Sequence, residues 1–160
     1  MPNYYAAYVN NPPALKGFLN MTTTVSYGQV MCWDTTTVLG ATGDLVYYQY
    51  GYGAVMCDDD QKRKIPAGVV WGDSSTAYAT AAVVASGTYG LLAVSGLCPL
   101  IYTNAAVAIM DILNVDSGNP GYAFASNTHT HIMAPLGRAL TATTTDGLAS
   151  EIACWLNIQV

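Results

Sequence analysis

The chain has 160 residues, of which 52% are hydrophobic and 9% are charged, and its formal net charge is −5. A soluble domain usually has about 25% charged residues, and a chain of this length forms one domain that buries about 70% of its unfolded surface. Such sparse charge protects a free monomer poorly against association. The composition therefore predicts that much of the surface is buried in an oligomer or a larger assembly.

The same composition excludes two kinds of partner. Clustered Lys and Arg are needed to bind nucleic acid, but the basic cluster Lys62-Arg63-Lys64 directly follows Asp58-Asp59-Asp60, which offsets it. No run of about 18 apolar residues is uninterrupted, so no membrane span is expected. The N-terminus lacks the basic and apolar segments of a signal peptide. We therefore expect neither nucleic acid nor membrane as a partner.

Residues 1–20 predict an extended N-terminal arm. Three tyrosines occur in the first eight residues, and Asn10-Asn11-Pro12-Pro13 follows them, a composition that disfavours regular structure. Aromatic residues are enriched in the cores of interfaces, so we interpret the arm as lying on a neighbouring subunit; a frayed terminus is the alternative. The candidate interface residues of the arm are Tyr4, Tyr5, Tyr8, Pro12 and Pro13.

Residues 21–160 predict a single β-rich domain. Thr, Val, Tyr and Ile are frequent, Gly recurs at turns, and Glu151 is the only glutamate. We therefore predict an all-β fold, a small β-barrel or β-sandwich. A short helix over Ser74–Ala85 is an open alternative, although Val83-Val84 fits a strand equally well. The predicted strands are residues 22–25, 28–34, 45–50, 53–57, 66–72, 89–95, 97–102, 109–114, 121–125, 131–142 and 151–159.

A second tyrosine cluster lies in the hairpin that the sequence predicts near residues 45–57. Its candidate interface residues are Tyr47, Tyr48, Tyr50 and Tyr52. Tyrosine combines an apolar ring with a polar tip, which suits half-buried contacts. Carbohydrate stacking is the alternative, but no set of Asp, Asn or Glu side chains accompanies the cluster. Anchoring at an interface is the preferred interpretation.

The four cysteines, at positions 32, 57, 98 and 154, have apolar neighbours and no metal-type spacing. Buried free thiols are the favoured interpretation, and two disulfides remain open because the number of cysteines is even. The sequence therefore predicts no cysteine metal site.

Two parts of the sequence resemble each other weakly. In each part a strand that ends in Asp, at Asp34 or Asp116, is followed by a strand that starts Pro-x-Gly, at Pro66 or Pro135. The pattern suggests two pseudo-repeated halves, residues 21–72 and 89–160. They could face each other in one barrel or sandwich.

His129-Thr130-His131 is the strongest candidate for chemistry. Alternate residues of a strand point to the same face, so His129 and His131 could bind one zinc or iron ion. No third ligand is recognisable, and two histidines in a polar loop are the simpler interpretation. Hydrolase and phosphate-loop motifs are also missing. We therefore expect no enzymatic activity and no cofactor.

The C-terminal half resembles the small capsid decoration, or cement, proteins of tailed bacteriophages. The resemblance is one of layout and covers roughly residues 65–160. Its elements, in order, are Tyr89–Leu100, the strand at 109–114, Pro135–Leu140 and a final apolar strand that ends at Val160. It implies a β-barrel or β-sandwich protein that oligomerises, often as a trimer, and carries no catalytic residues.

The resemblance also implies the function that we expect for this chain. Such proteins bind the outer face of an icosahedral shell and stabilise it by bridging capsomers. The expected partners are the major capsid protein and further copies of the chain, and the expected location is the virion surface after assembly in the host cytoplasm. The alternatives are another assembly subunit, such as a tail-tube, fibre or surface-layer protein, or a small metal-dependent β-barrel enzyme that uses His129 and His131.

Overall fold

The computed structural model describes residues 13–34, 38–39, 47–48, 53–56, 65–73, 83–116, 118–125, 135–144 and 150–158. These residues form strands, turns, bends and irregular connections, and none of them is helical. The predicted all-β fold is confirmed. Val83–Val84 forms a strand and Ala85 is not helical, whereas residues 74–82 of the candidate helix fall outside the described residues. The described ranges contain no helix that could cross a membrane.

Thirteen strands are present in the described residues. They are β1 (Ala14–Asn20), β2 (Val25–Ser26), β3 (Val30–Trp33), β4 (Val38–Leu39), β5 (Tyr47–Tyr48), β6 (Gly53–Met56), β7 (Pro66–Asp73), β8 (Val83–Val84), β9 (Tyr89–Thr103), β10 (Ile112–Val115), β11 (Ala123–Ala125), β12 (Gly137–Ala139) and β13 (Ser150–Asn157). Nine of these strands form one sheet, while β2 pairs with β8 and β4 pairs with β5.

The large sheet closes on itself twice. A first ring runs β1–β6–β3–β7–β9 and returns from β9 to β1, and a second ring runs β9–β11–β10–β12–β13 and returns from β13 to β9. Most pairs are antiparallel, but β1–β6 and β9–β11 are parallel. Closure satisfies backbone groups that an open sheet would leave at its edges. The fold is therefore a pair of small closed rings that share one long strand.

Strand β9 belongs to both rings because it changes partners at Ser95. Its first half pairs with β1 and β7, and its second half pairs with β13. The start of β1 and the end of β13 meet there, because Ser95 is the register partner of both Ala14 and Asn157. The predicted break between residues 95 and 97 is wrong: Gly96 adopts φ +94°, which glycine tolerates, and the strand continues through it.

Two hydrophobic clusters form the core, and β3 contributes to both. Met31 and Trp33 belong to the smaller cluster, while Val30 and Cys32 belong to the larger one. All four are buried, as expected for a strand that is covered on both faces. The smaller cluster consists of Phe18, Val25, Met31, Trp33, Ala54, Ala67, Val70, Val84 and Leu92. The larger cluster lies mainly on the second ring and the adjoining faces of β3 and β7.

Residues 14–20 do not belong to the extended arm that the sequence predicted over residues 1–20. Ala14–Asn20 forms β1 instead of continuing the arm. Phe18 is buried in the smaller cluster, and Asn20 is buried at the end of the strand. The arm composition therefore ends at Pro13, and burial alternates only in the last part of β1, where Phe18 and Asn20 are buried on either side of the half-buried Leu19. Residues 1–12 lie outside the described residues.

The two parts that resemble each other have equivalent pairings in the fold. In the first ring β3, which precedes Asp34, pairs antiparallel with β7, which starts at Pro66. In the second ring β10, which precedes Asp116, pairs antiparallel with β12, which follows Pro135. Each of the two similar sequence parts therefore corresponds to one pair of neighbouring strands. The proposed halves 21–72 and 89–160 stay a prediction.

The cysteines differ from the favoured interpretation at one position. Cys98 and Cys154 are free and buried, as expected, but Cys32 is disulfide-bonded. Four buried free thiols are therefore the wrong description of this chain, and Cys57 lies outside the described residues.

Candidate binding groove on the second ring

Most of the predicted site residues lie outside the described residues. These are Tyr4, Tyr5, Tyr8, Pro12, Tyr50, Tyr52, His129 and His131. The backbones of Tyr47 and Tyr48 form β5, paired with β4, and Pro13 is buried. No group of three or more His, Cys, Asp or Glu residues in the described ranges is arranged to hold a metal. The roles predicted for these residues remain predictions.

A different set of side chains stands together on the outside of the second ring. Ile112 is the register partner of Arg138, Arg138 that of Trp155, and Trp155 that of Leu97. Directly opposed residues of paired strands project to the same face of a sheet. We call Ile112, Arg138 and Trp155, one each from β10, β12 and β13, the outward row; Leu97 of β9 continues the register but is buried. The adjacent pairs Leu113–Gly137 and Gly137–Leu156 face the core, where Leu113 and Leu156 are fully buried.

Trp155 is the prominent member of the outward row. Its side chain is 53% exposed, whereas Trp33 and Trp71 are each 1% exposed. Tryptophan is highly buried on average, so an exposed indole on a rigid strand is unusual. The flanking residues Cys154 and Leu156 face inward, which fixes the indole on the outer face by alternation. Trp155 therefore presents an apolar aromatic surface to solvent.

An open groove of about 500 Å³ lies along this surface, and it is lined by Ile112, Pro135, Gly137, Arg138, Trp155 and Asn157. Small-molecule sites commonly have volumes of about 300–1,000 Å³. At the groove floor β12 approaches β13 closely at Gly137. A Cβ there would clash with the Trp155 carbonyl oxygen and lie 2.9 Å from the Leu156 Cα.

A tight turn before β10 holds Arg138 in position. The Arg138 Nη1 donates to the Met110 carbonyl oxygen at 3.0 Å. Met110 has φ +74°, and its backbone N–H donates to the Ala139 carbonyl oxygen at 2.8 Å. Inside the turn, the Ala108 N–H donates to the Asp111 carboxylate at 2.8 Å. Two large apolar side chains of the turn, Ile109 and Met110, are exposed, and the second of these residues accepts the hydrogen bond from Arg138.

Arg138 also brings an unneutralised positive charge to the groove. In the described ranges the basic residues are Lys16 and Arg138, and the Lys16 Nζ lies 4.7 Å from the centre of the Trp33 ring. No carboxylate of the described residues pairs with Arg138, which is exposed. The whole chain has ten acidic and five basic residues. A guanidinium that no described carboxylate neutralises, beside an exposed indole, is therefore a local exception in an acidic protein.

Sequence reasoning missed this groove, although one signal was available. In β13 the inward positions Cys154 and Leu156 are apolar, so alternation places Trp155 and Asn157 on the outer face. The proximity of Arg138 depends on the pairing of β12 with β13. That pairing cannot be read from a single strand pattern.

Comparison with known proteins yields structural likenesses but no match in sequence. No protein-family model matches the chain, and no curated protein matches it in sequence. Among solved structures, the chain is similar to the head fiber gp8.5 N base of bacteriophage phi29, with 9% sequence identity and a TM-score of 0.46. The match covers 91% of this chain and 95% of that chain. A likeness at this level assigns neither a family nor a function to the chain.

Proposed function

We propose that this chain is a structural virion protein that binds the outer surface of an icosahedral phage capsid and stabilises the shell by bridging capsomers. The observation that carries the proposal is a surface poor in charge and rich in exposed apolar side chains. Only 9% of the chain is charged. The large exposed hydrophobic residues of the described ranges are Leu15, Ile65, Val83, Tyr89, Ile109, Met110 and Trp155.

Such a surface is consistent with a subunit that works inside an assembly. Sparse charge allows free monomers to associate, and the exposed Ile109 and Met110 occupy successive positions of one turn. Many weak contacts, repeated over a shell, stabilise the assembled state by mass action. The proposed role needs burial and shape, and it assigns no catalytic task to any residue.

The proposed capsid contact is the aromatic arm, residues 1–12. Its support is the anchoring of the residue that follows. Pro13 is buried, and its Cα would lie 3.3 Å from a Cβ placed on Gly96. The arm therefore starts from a fixed point, where β1 and β13 meet on β9. Three of its residues are tyrosines, which are enriched in interface cores.

Co-sedimentation with intact capsids of the virus that encodes the chain tests this role. The full chain is compared with a variant that lacks residues 1–12 but retains the buried Pro13, and with a variant in which Tyr4, Tyr5 and Tyr8 are replaced by Ser. We expect the full chain to sediment with capsids and both variants to bind at least about tenfold more weakly. A full chain that stays soluble beside intact capsids contradicts the proposal.

Oligomerisation is tested separately by native mass spectrometry of the full chain at micromolar concentration. The proposal expects a trimer, because bridging several capsomers requires several linked copies. A monomer at all concentrations would refute the oligomeric part of the proposal.

A further inference from the structure

We propose that the groove on the second ring binds an acidic carbohydrate, namely a pyranose that carries a carboxylate. This site goes beyond the capsid-binding role and does not involve the arm. Three side chains would recognise the ligand: the Trp155 indole, the Arg138 guanidinium and the Asn157 amide. All three line the groove, and all three are exposed.

Trp155 supplies the stacking surface. The C–H groups of one face of a pyranose are apolar, and they pack against the electron-rich face of an aromatic ring. Trp155 is 53% exposed, and no ring contact or hydrogen bond to another described residue occupies its side chain. Its backbone is fixed in the middle of β13 by pairs to β12 and β9. The Trp155 indole is therefore accessible to a ligand, and its backbone is fixed by the neighbouring strands β12 and β9.

Arg138 selects for negative charge. It is the register partner of Trp155, so the two side chains start from adjacent points on the same face. One nitrogen donates to the Met110 carbonyl oxygen, which orients the guanidinium and leaves further N–H donors free. Guanidinium groups bind carboxylates through paired, charge-assisted hydrogen bonds. Since no described acid neutralises Arg138, a carboxylate on the ligand would complement its charge.

Asn157 completes the set with a neutral donor and acceptor. It lies two residues after Trp155 on β13, so both side chains point to the same face at a separation of roughly 6.5–7 Å along the strand. Its backbone N–H donates to the Leu136 carbonyl oxygen at 2.9 Å, which fixes the end of the strand. A sugar stacked on Trp155 would therefore have hydroxyl groups within reach of the Asn157 amide.

The backbone of the groove argues against an extended peptide as the occupant. A peptide that adds a strand needs unpaired backbone groups at an open edge. Here β12 is paired on both sides, with β10 and with β13, and the second ring is closed. Recognition in the groove must therefore come from side chains, which favours a ligand with an apolar face, hydroxyl groups and a negative charge.

The test uses trigalacturonate as the acidic probe and galactotriose as its neutral counterpart, titrated into the full-length chain by calorimetry. We expect trigalacturonate to bind at least about tenfold more tightly than galactotriose, because only the acid pairs with Arg138. R138Q should remove this preference, and W155A should weaken binding of both sugars at least about tenfold. Deleting residues 1–12 should leave binding unchanged, which separates this site from the arm.

Tyr89→Ala is the matched control, because Tyr89 is also an aromatic residue with 53% exposure but lies outside the groove. This variant should bind trigalacturonate as tightly as the unmutated chain does. Should W155A fail to fold, as judged by circular dichroism, R138Q alone carries the test. The proposal is overturned if trigalacturonate does not bind at about 10 mM, if both sugars bind equally, or if R138Q binds normally. It is also overturned if W155A abolishes self-association while no variant or probe gives sugar binding, because the groove is then a protein interface.

Discussion

Cys98 and Cys154 lie directly opposite each other on β9 and β13, and both are free and fully buried. They belong to the inward side of the second ring, next to the register pair of the buried Leu97 and the exposed Trp155. The Cys98 thiol donates to the Leu100 carbonyl oxygen at 3.1 Å. The hydrogen bond with Cys98, burial, and the charge that Cys98 can carry all raise the pKa of the Cys154 thiol well above its ordinary value.

These two thiols should be chemically inert in the folded protein. A thiolate is the reactive species, and burial together with the raised pKa of Cys154 keeps that thiol protonated. We expect iodoacetamide at pH 8 to leave Cys98 and Cys154 unmodified in the native protein and to modify both in guanidinium chloride. Peptide mass mapping measures the modification. Rapid labelling of either residue without denaturant would show that the second ring opens readily.

The raised pKa of Cys154 also predicts a loss of stability at alkaline pH. The folded state retains the thiol proton at a pH where the unfolded state has lost it, so the unfolded state is favoured as pH rises above about 9.0. Below that value the contribution is constant. The free energy of unfolding should therefore fall, by at most about 1.4 kcal/mol per pH unit from this group. Urea unfolding at pH 8 and pH 10 measures the change, and Cys154→Ala should reduce it; an equal change in the variant would contradict the assignment.

Gly137 should not tolerate a side chain. A Cβ would clash with the Trp155 carbonyl oxygen, which belongs to the backbone of β13 and cannot rotate away. Gly137→Ala should therefore cost about 3 kcal/mol of the free energy of unfolding. Gly17→Ala is the control, because nothing lies within 4 Å of a Cβ at that exposed strand position. The control should be neutral or stabilise the protein by up to about 1 kcal/mol, and equal losses in the two variants would contradict the close approach of β12 and β13.

Asn20 should be a strong stability determinant of the first ring. Its side chain is fully buried and donates at 2.8 Å to the carbonyl oxygens of Thr23 and Val84, while its Oδ1 accepts from the Thr22 N–H at 3.0 Å. Asn20→Ala leaves these backbone groups without their partner, so we expect a loss of roughly 2–4 kcal/mol by chemical denaturation.

Thr88→Ala is the comparison for Asn20. The Thr88 hydroxyl makes one exposed hydrogen bond, to the Ala85 carbonyl oxygen at 2.7 Å. This variant should lose no more than about 1 kcal/mol. If Asn20→Ala costs no more than Thr88→Ala, the buried network does not stabilise the ring as described.

The local patterns of the sequence predicted most strands but not their arrangement. Gly53–Met56 and Pro66–Asp73 were located within one residue, because each is a short, largely apolar run that begins at a glycine or proline turn signal. Ala14–Asn20 was missed because the prolines before it suggested an arm. Closure of the rings depends on parallel pairs such as Leu19–Gly53, which join segments far apart in the chain. No local pattern specifies that register.

The groove also could not be predicted from local sequence patterns alone. Alternation in β13 could have placed Trp155 outside, but only the pairing with β12 brings Arg138 next to it. The predicted tyrosine sites were chosen by composition, which finds clusters along the chain and not clusters formed by folding. Arg138 and Trp155 are 17 positions apart in the sequence and adjacent in the sheet.

The central claim is that the chain is a structural component on the outside of a virion. Quantitative mass spectrometry of purified particles of the virus that encodes it, with and without prior protease treatment of intact particles, tests this claim most directly. We predict that the chain is present in a fixed ratio to the major capsid protein and that protease removes it while the encapsidated genome stays protected. Particles that lack the chain, or that retain it only inside the shell, would contradict the account.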